Sequence, residues 1–230
     1  ILKNKKSFRF NDITIDSRKV KKDNLFLAIK GKINDGSKFI SKAFKNGASV
    51  AVTSSSIRLR RSKIIKVKDP LIFLNEFAKI KRDNCNAKII AITGSAGKTS
   101  LKDTVNKILN KYNTSYASPK SYNNHYGVPI SLSNLKTNHH FGIFEVGMSK
   151  AGEINKLTKL LKPNIGIITN IAEAHIENFK NIKGIAKAKA EIIDNIQPFG
   201  KIILNRDDKF FDYLSNKAKL NKIEVVSFGK

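Results

Sequence analysis

Tryptophan is absent from this 230-residue sequence, cysteine and methionine occur once each, and proline occurs five times. No apolar run approaches the length of about 18 residues that a membrane-crossing helix requires. The lone Cys85 excludes an internal disulfide and a zinc site built from cysteines, which fits a reducing compartment. Stability must therefore come from packing. The first residues, Ile1-Leu2-Lys3-Asn4-Lys5-Lys6, lead into neither an apolar stretch nor a small-residue cleavage site. The expectation is an unexported, cytoplasmic protein with no stable membrane insertion.

Acidic residues are also scarce, 18 against 44 Lys and Arg, for a formal charge of +26. Such an excess attracts phosphate polymers. Here it is mostly lysine, spread along the whole chain and mixed with Asn and Ile, as a compositional bias would be. Arg58, Arg60 and Arg61 form an arginine cluster, yet no aromatic residues interleave with it as base-stacking platforms would. No nucleic acid is expected, and small phosphorylated substrates suit the charge better. A non-catalytic nucleotide- or nucleic-acid-binding module stays open as an alternative.

With 40% hydrophobic residues the chain can bury a real core, as one large domain or two small ones. Short apolar runs at Phe8 to Ile15 and Asn24 to Ile29 precede a helical pattern from Lys38 to Asn46, and Ser49 to Thr53 reads as a strand. Ile64 to Val67 follows. Asp69-Pro70 then opens an apolar-periodic helix through Leu71, Phe73, Leu74 and Phe77. From there strands are expected at 88–93, 141–146, 165–170 and 201–205, and helices at 99–111, 151–161 and 182–196. Strands alternating with helices predict an α/β fold with a mostly parallel sheet, whose ligands sit at the carboxyl ends of the strands. Two domains are expected, residues 1–82 and 83–230.

The sharpest local feature is Gly94-Ser95-Ala96-Gly97-Lys98-Thr99-Ser100, between a predicted strand and a predicted helix. Glycines let a backbone approach phosphate, N–H groups at a helix start face the anion, Lys98 adds a charge and Thr99 offers a hydroxyl to magnesium. Ile92 stands where the longer G-x-x-x-x-G-K-[ST] loop has its first glycine, so only a shorter G-x-x-G-K-T form fits. Glu145 interrupts an apolar strand. A carboxylate there is costly to bury unless it is paired or binds a cation, the other reading being a solvated strand end. His175 follows another strand, and a loop histidine alone is no signal. Lys189 and Glu191 read by spacing as a solvated helix face.

Taken in order, these segments resemble the Mur ligase family along almost the whole chain. The loop at 93–100 is followed by Asn123-Asn124-His125-Tyr126-Gly127-Val128-Pro129, similar to N-N-x-x-G-V-P, and by Glu145-Val146-Gly147-Met148-Ser149-Lys150-Ala151-Gly152-Glu153-Ile154. Then come Thr169-Asn170-Ile171-Ala172-Glu173-Ala174-His175 and Ala186-Lys187-Ala188-Lys189-Ala190-Glu191-Ile192. Near the N-terminus Ile15-Asp16-Ser17-Arg18-Lys19-Val20, Asn24 to Ile29 and Asp35-Gly36 resemble the family's UDP-binding domain.

The resemblance implies ATP and Mg2+ as cofactors and an acyl-phosphate route. Its E-x-G-M-x-x-x-G-E-I and N-N-x-x-G-V-P forms imply UDP-N-acetylmuramoyl-tripeptide and D-alanyl-D-alanine as partners; another amino-acid ligase of the superfamily is the alternative. It also implies that Lys98 holds phosphates, Thr99 and Glu145 bind one magnesium and His175 a second, and Lys189 is a carbamoylated ligand, with Lys187 as runner-up. Asn123 and Asn124 would line the cleft, their roles unseparated, while Ser17, Arg18, Asp35 and Gly36 would lie near the uridine diphosphate. A monomer is expected. The family continues into a third domain with no counterpart after Lys230, so the chain is expected to be a fragment, inactive alone.

Overall fold

A computed structural model describes residues 8–31, 34–57, 63–174 and 176–230. Ile1 to Lys6, the cluster Arg58, Arg60 and Arg61, and His175 lie outside the described residues. The chain divides into two compact units, Ile1–Phe77 and Ala78–Lys230.

The first unit holds four parallel strands in the order β1 (Ile13–Thr14), β2 (Leu25–Ala28), β3 (Val50–Thr53) and β4 (Ile64–Lys66). Every residue of β2 and β3 is buried, as expected of strands covered on both faces. Of the apolar run from Phe8 to Ile15 only Ile13 and Thr14 pair, with Leu25 and Phe26. The helix read from Lys38 begins as a 3-10 turn, Gly36–Phe39, and becomes α1 (Ile40–Lys45), which buries Ile40, Ala43 and Phe44. Helix α2 (Pro70–Asp83) starts where Asp69-Pro70 predicts. Asp69 Oδ1 accepts from Leu71 N at 2.6 Å, and proline at the first helical position lacks only an N–H that would go unpaired.

The second unit is a six-stranded parallel sheet in the order β10-β9-β8-β5-β7-β6, built from β5 (Lys88–Thr93), β6 (Ser115–Ala117), β7 (Phe141–Glu145), β8 (Ile165–Ile168), β9 (Lys201–Asn205) and β10 (Glu224–Phe228). Strand β5 lies between β7 and β8, with Ile92 opposite both Glu145 and Ile167. Alternation along β5 divides the core. Ile90 and Ile92 face a cluster that includes Leu101, Val105 and Leu109 of α3 (Lys98–Leu109); Ile89 and Ala91 belong to the larger cluster on the other face. That larger cluster draws on α4 (Gly127–Asn134), α5 (Glu153–Leu161), α6 (Ile182–Ala190) and α7 (Phe211–Leu220).

The sequence reading left α4, β6, α7 and β10 without an assignment. Helix α4 is buried from Gly127 to Ser133, serines included, so it has no exposed polar face and no helical period to detect. Helix α6 stops at Ala190 and continues as a 3-10 turn, Glu191–Asn195, where one α-helix to 196 was expected.

Because Leu132 of α4 is fully buried, Leu132→Ala should cost ~2–5 kcal/mol of unfolding free energy. Ile108→Ala, at a half-exposed position on α3, should cost less than ~1 kcal/mol. Denaturant titration of both variants checks this, and equal losses would contradict the assignment of α4 to the core.

Candidate functional site

Strand β5 ends at Thr93 and the chain turns at once through Gly94-Ser95-Ala96-Gly97 into α3. Gly94 has φ of +149°, and a Cβ there would collide with Thr169 Oγ1. Only glycine fits that close approach. Gly97, at φ of +79°, is the N-cap residue of α3 and offers no side chain to its first N–H groups. Two other loop donors are already engaged: Ser95 N and Ala96 N donate to the backbone and side-chain oxygens of Asn170, at 3.0 and 2.9 Å. The sequence reading placed N–H groups of the helix start toward an anion and did not foresee these two bonds to Asn170. Thr169 Oγ1 closes the same clamp by donating to Ala96 O at 2.6 Å, and Ser95 Oγ donates to Ala172 O at 2.9 Å. Two polar residues after the apolar β8 are the sequence signal for this support.

Lys98 bends back over the loop, its Nζ donating to Gly94 O at 2.8 Å. Thr99 Oγ1 donates to Glu145 Oε2 and Asn123 Nδ2 to Glu145 Oε1, each at 2.7 Å. Glu145 is only 2% exposed, so the solvated strand end is ruled out as its environment. Asn123 and Asn124 separate cleanly. Asn124 Oδ1 accepts from Tyr126 N and Gly127 N at the start of α4, whereas Asn123 reaches the carboxylate. Gly147 donates its N–H to Asn123 O at 2.8 Å, and a Cβ on it would press against the Asn123 side chain.

The expectation of a solvated face at Lys189 and Glu191 is corrected. Lys189 is 3% exposed and Lys187, two residues away, is exposed. Burial, and then the neighbouring charge of Lys98, lower the Lys189 ammonium to a pKa of about 8. Glu191 Oε1 and Oε2 accept from Gly152 N and Asn155 N at 2.6 and 3.0 Å, satisfying open donors in the first turn of α5. Lysine spacing on an Ala-rich helix could not reveal which lysine is inward. A cavity of about 720 Å³ opens at these strand ends, and Gly94, Ser95, Lys98, Asn123, Asn124 and Lys189 are in its wall. Among the described residues no three His, Cys, Asp or Glu side chains cluster as a metal site.

The N-terminal candidates lie in the first unit, on two 3-10 turns that both contact α1. Ser17 is buried, its carbonyl accepting from Asn46 Nδ2 at 2.8 Å. Arg18 is exposed and grips Asp16 through Nε and Nη2, each at 2.9 Å. Asp35 Oδ1 accepts from Ser37 N at 2.9 Å, which holds its carboxyl below the usual range. Gly36 sits so close to Ile29 that a Cβ would meet backbone atoms at 2.7 Å.

A glycine loop between a parallel strand and a helix, with Lys-Thr at the helix start and a buried carboxylate facing that Thr, defines a phosphate-binding α/β protein of the P-loop kind. Residues 92–230 match the Mur ligase middle domain and residues 9–82 match the Mur ligase family, catalytic domain. The chain belongs to the Mur ligase family. It is 37% identical to the UDP-N-acetylmuramoyl-tripeptide--D-alanyl-D-alanine ligase of Rickettsia prowazekii, over 97% of this chain and 50% of that protein. Among solved structures, MurF from Acinetobacter baumannii superposes with a TM-score of 0.85 at 32% identity, covering 96% of this chain and 48% of that one. MurF ligase from Thermotoga maritima in complex with ADP gives 0.80 at 26% identity, covering 96% and 50%. The chain spans about half the length of the curated relatives it matches.

The Asp16 carboxyl is lowered from 3.8 to about 2, chiefly by its hydrogen bond from Arg18. A depressed acid contributes stability that is fully present above its unfolded pKa and is lost as pH falls through the folded value. The Arg18 side chain is 78% exposed, so solvent screening keeps the pair's contribution small. Asp16→Asn should lower unfolding free energy slightly at neutral pH. The gap to the parent should close as pH falls from about 4 to about 2, and a pH-independent gap in denaturant titrations would contradict the assignment.

Proposed function

We propose that this chain is the UDP-substrate-binding and ATP-binding part of a ligase that joins D-alanyl-D-alanine to UDP-N-acetylmuramoyl-tripeptide through an acyl phosphate. One observation carries the reading: Lys98, Asn123 and Lys189 meet in the wall of one cavity, beside the buried Glu145 that Thr99 and Asn123 hold. The likeness to ligases of that name supports the choice of substrates.

The residues fit magnesium-nucleotide. Magnesium bound with phosphates takes one or two carboxylates from the protein, and here a hydroxyl and a carboxylate already touch. When bound, it neutralises charge on the transferred phosphoryl group. Lys98 supplies a point charge for the terminal phosphates. Asn123 holds the second oxygen of Glu145, which fixes the carboxylate plane toward Thr99. Lys189, buried and inward, is the residue assigned to carbamoylation; Lys187 points to solvent. His175 remains assigned to a second magnesium by its place in Thr169 to His175. Ser17, Arg18, Asp35 and Gly36 are assigned to the uridine diphosphate in the first unit.

Calorimetric titration of this chain with ATP, with and without Mg2+, tests the site. Lys98→Ala should weaken MgATP binding by ~10–100-fold, the range of a lost charge-assisted hydrogen bond or two. Glu145→Gln should lose the gain from Mg2+ while metal-free affinity stays within about 2-fold, since the amide keeps the shape and removes the charge. Unchanged MgATP affinity in a folded Lys98→Ala variant would remove the loop from the reading.

Carbamoylation has its own signature. In 13C-labelled bicarbonate the chain should show a carbamate carbon resonance that disappears in Lys189→Ala and survives in Lys187→Ala. Persistence in Lys189→Ala would move the modification elsewhere.

A further inference from the structure

Lys102 is fully buried, and no step described above uses it. It lies one turn past Lys98 and Thr99 on α3. Its Nζ donates to Ser118 O at 2.8 Å and to Lys120 O at 2.6 Å, and Asp103 Oδ1 lies 3.3 Å away. The two carbonyls take two of the ammonium's three protons, and Asp103 adds a counter-charge. The two carbonyls bracket Pro119 in the turn that follows β6, where Lys120 takes the left-handed conformation at φ of +47°. Few side chains other than glycine adopt it without support.

That turn touches Glu145 from two sides. Ser118 Oγ accepts from Glu145 N at 3.3 Å, and three residues beyond Lys120 the Asn123 amide donates to Glu145 Oε1. Thr99, on the helix that carries Lys102, donates to the other carboxylate oxygen. One helix thus holds the carboxylate directly through Thr99 and indirectly through Lys102 and the 118–123 turn. A well-packed apolar side chain in the interior often stabilises as well as a buried charge does, so bulk stability alone gives no reason for an ammonium here.

We propose that Lys102 is a positioning residue for the magnesium site: it pins the 118–120 turn so that Asn123 orients Glu145 toward Thr99. The proposal rests on the magnesium-nucleotide reading above.

The test uses Lys102→Met and Lys102→Gln in this chain, with folding followed by circular dichroism and ATP titrated with and without Mg2+. Metal-free ATP affinity should stay within about 2-fold, while the gain from Mg2+ falls by ~5-fold or more, the scale of a lost orienting hydrogen bond. Asn123→Ala should cause a similar loss, and combining it with Lys102→Met should add little, because both act on one contact. The proposal is overturned by an unchanged gain from Mg2+, by equal losses with and without the metal, or by additive effects in the double variant. Failure of both Lys102 variants to fold also overturns it, by assigning the residue to the fold alone. A parent chain showing no gain from Mg2+ would sink the magnesium reading and this proposal together, whereas a variant-only failure leaves that reading intact.

Discussion

The burial of Glu145 is the constraint on which the second unit's chemistry depends. A carboxylate 2% exposed has left water, and its oxygens must find donors or the strand end is unstable. Both donors it finds are neutral, a threonine hydroxyl and an asparagine amide. Hydrogen bonds satisfy lone pairs, but neutral donors leave the charge in place. The result is a carboxyl group fixed at the end of β7, held by α3 on one side and by the turn after β6 on the other. Both of its oxygens are thereby held in place, Oε2 by Thr99 and Oε1 by Asn123.

Strand order explains why this happens beside the glycine loop. After β5 the chain goes to one side of that strand for β6 and β7 and then crosses to the other for β8 and β9. Connections leaving β5 and its neighbours diverge at that point and leave a crevice at their carboxyl ends. The loop after β5, the Glu145 end of β7 and the Thr169-Asn170 end of β8 therefore border one space. Asn170 and Thr169 spend their polar groups holding the loop backbone, so β8 supplies a mould for the loop and β7 supplies the charge.

How much of this was legible depended on whether a residue's role leaves a local trace. Buried parallel strands leave one, because uninterrupted runs such as Lys88 to Thr93 stand out from a lysine-rich background. So does a loop whose glycines must pack against Thr169 or start a helix. Helix α4 left none, being buried from Gly127 to Ser133; Gly127-Val128-Pro129 entered only as part of a family motif, with no helix read there. Lys189, Glu191 and Lys102 show the limit most clearly. Each is a charged residue on a helix in a lysine-rich chain, and spacing assigns all such residues to solvent. What brings them inward is tertiary: a cavity at the strand ends for Lys189, the open first turn of α5 for Glu191, and two turn carbonyls for Lys102. The apolar run from Phe8 to Ile15 is a weak guide for a different reason, since only Ile13 and Thr14 of it pair.

The overall charge of +26 has little to say about any of this, whereas the placement of two ammonium groups says a good deal. Lys98 and Lys189 share the wall of one cavity, and burial together with that proximity lowers the Lys189 ammonium to about 8. Burying one lysine beside another is unfavourable in an empty site, because each repels the other and Lys189 has lost its hydration. On the proposed reading that repulsion is relieved by an anion bound in the cavity, or by conversion of Lys189 to one. Glu145 presents the complementary case, a buried carboxyl group whose hydrogen-bond donors are both neutral. A site that is electrostatically uncomfortable in both signs, on neighbouring strand and helix, suits a ligand that brings both, and a metal-bound polyphosphate is such a ligand.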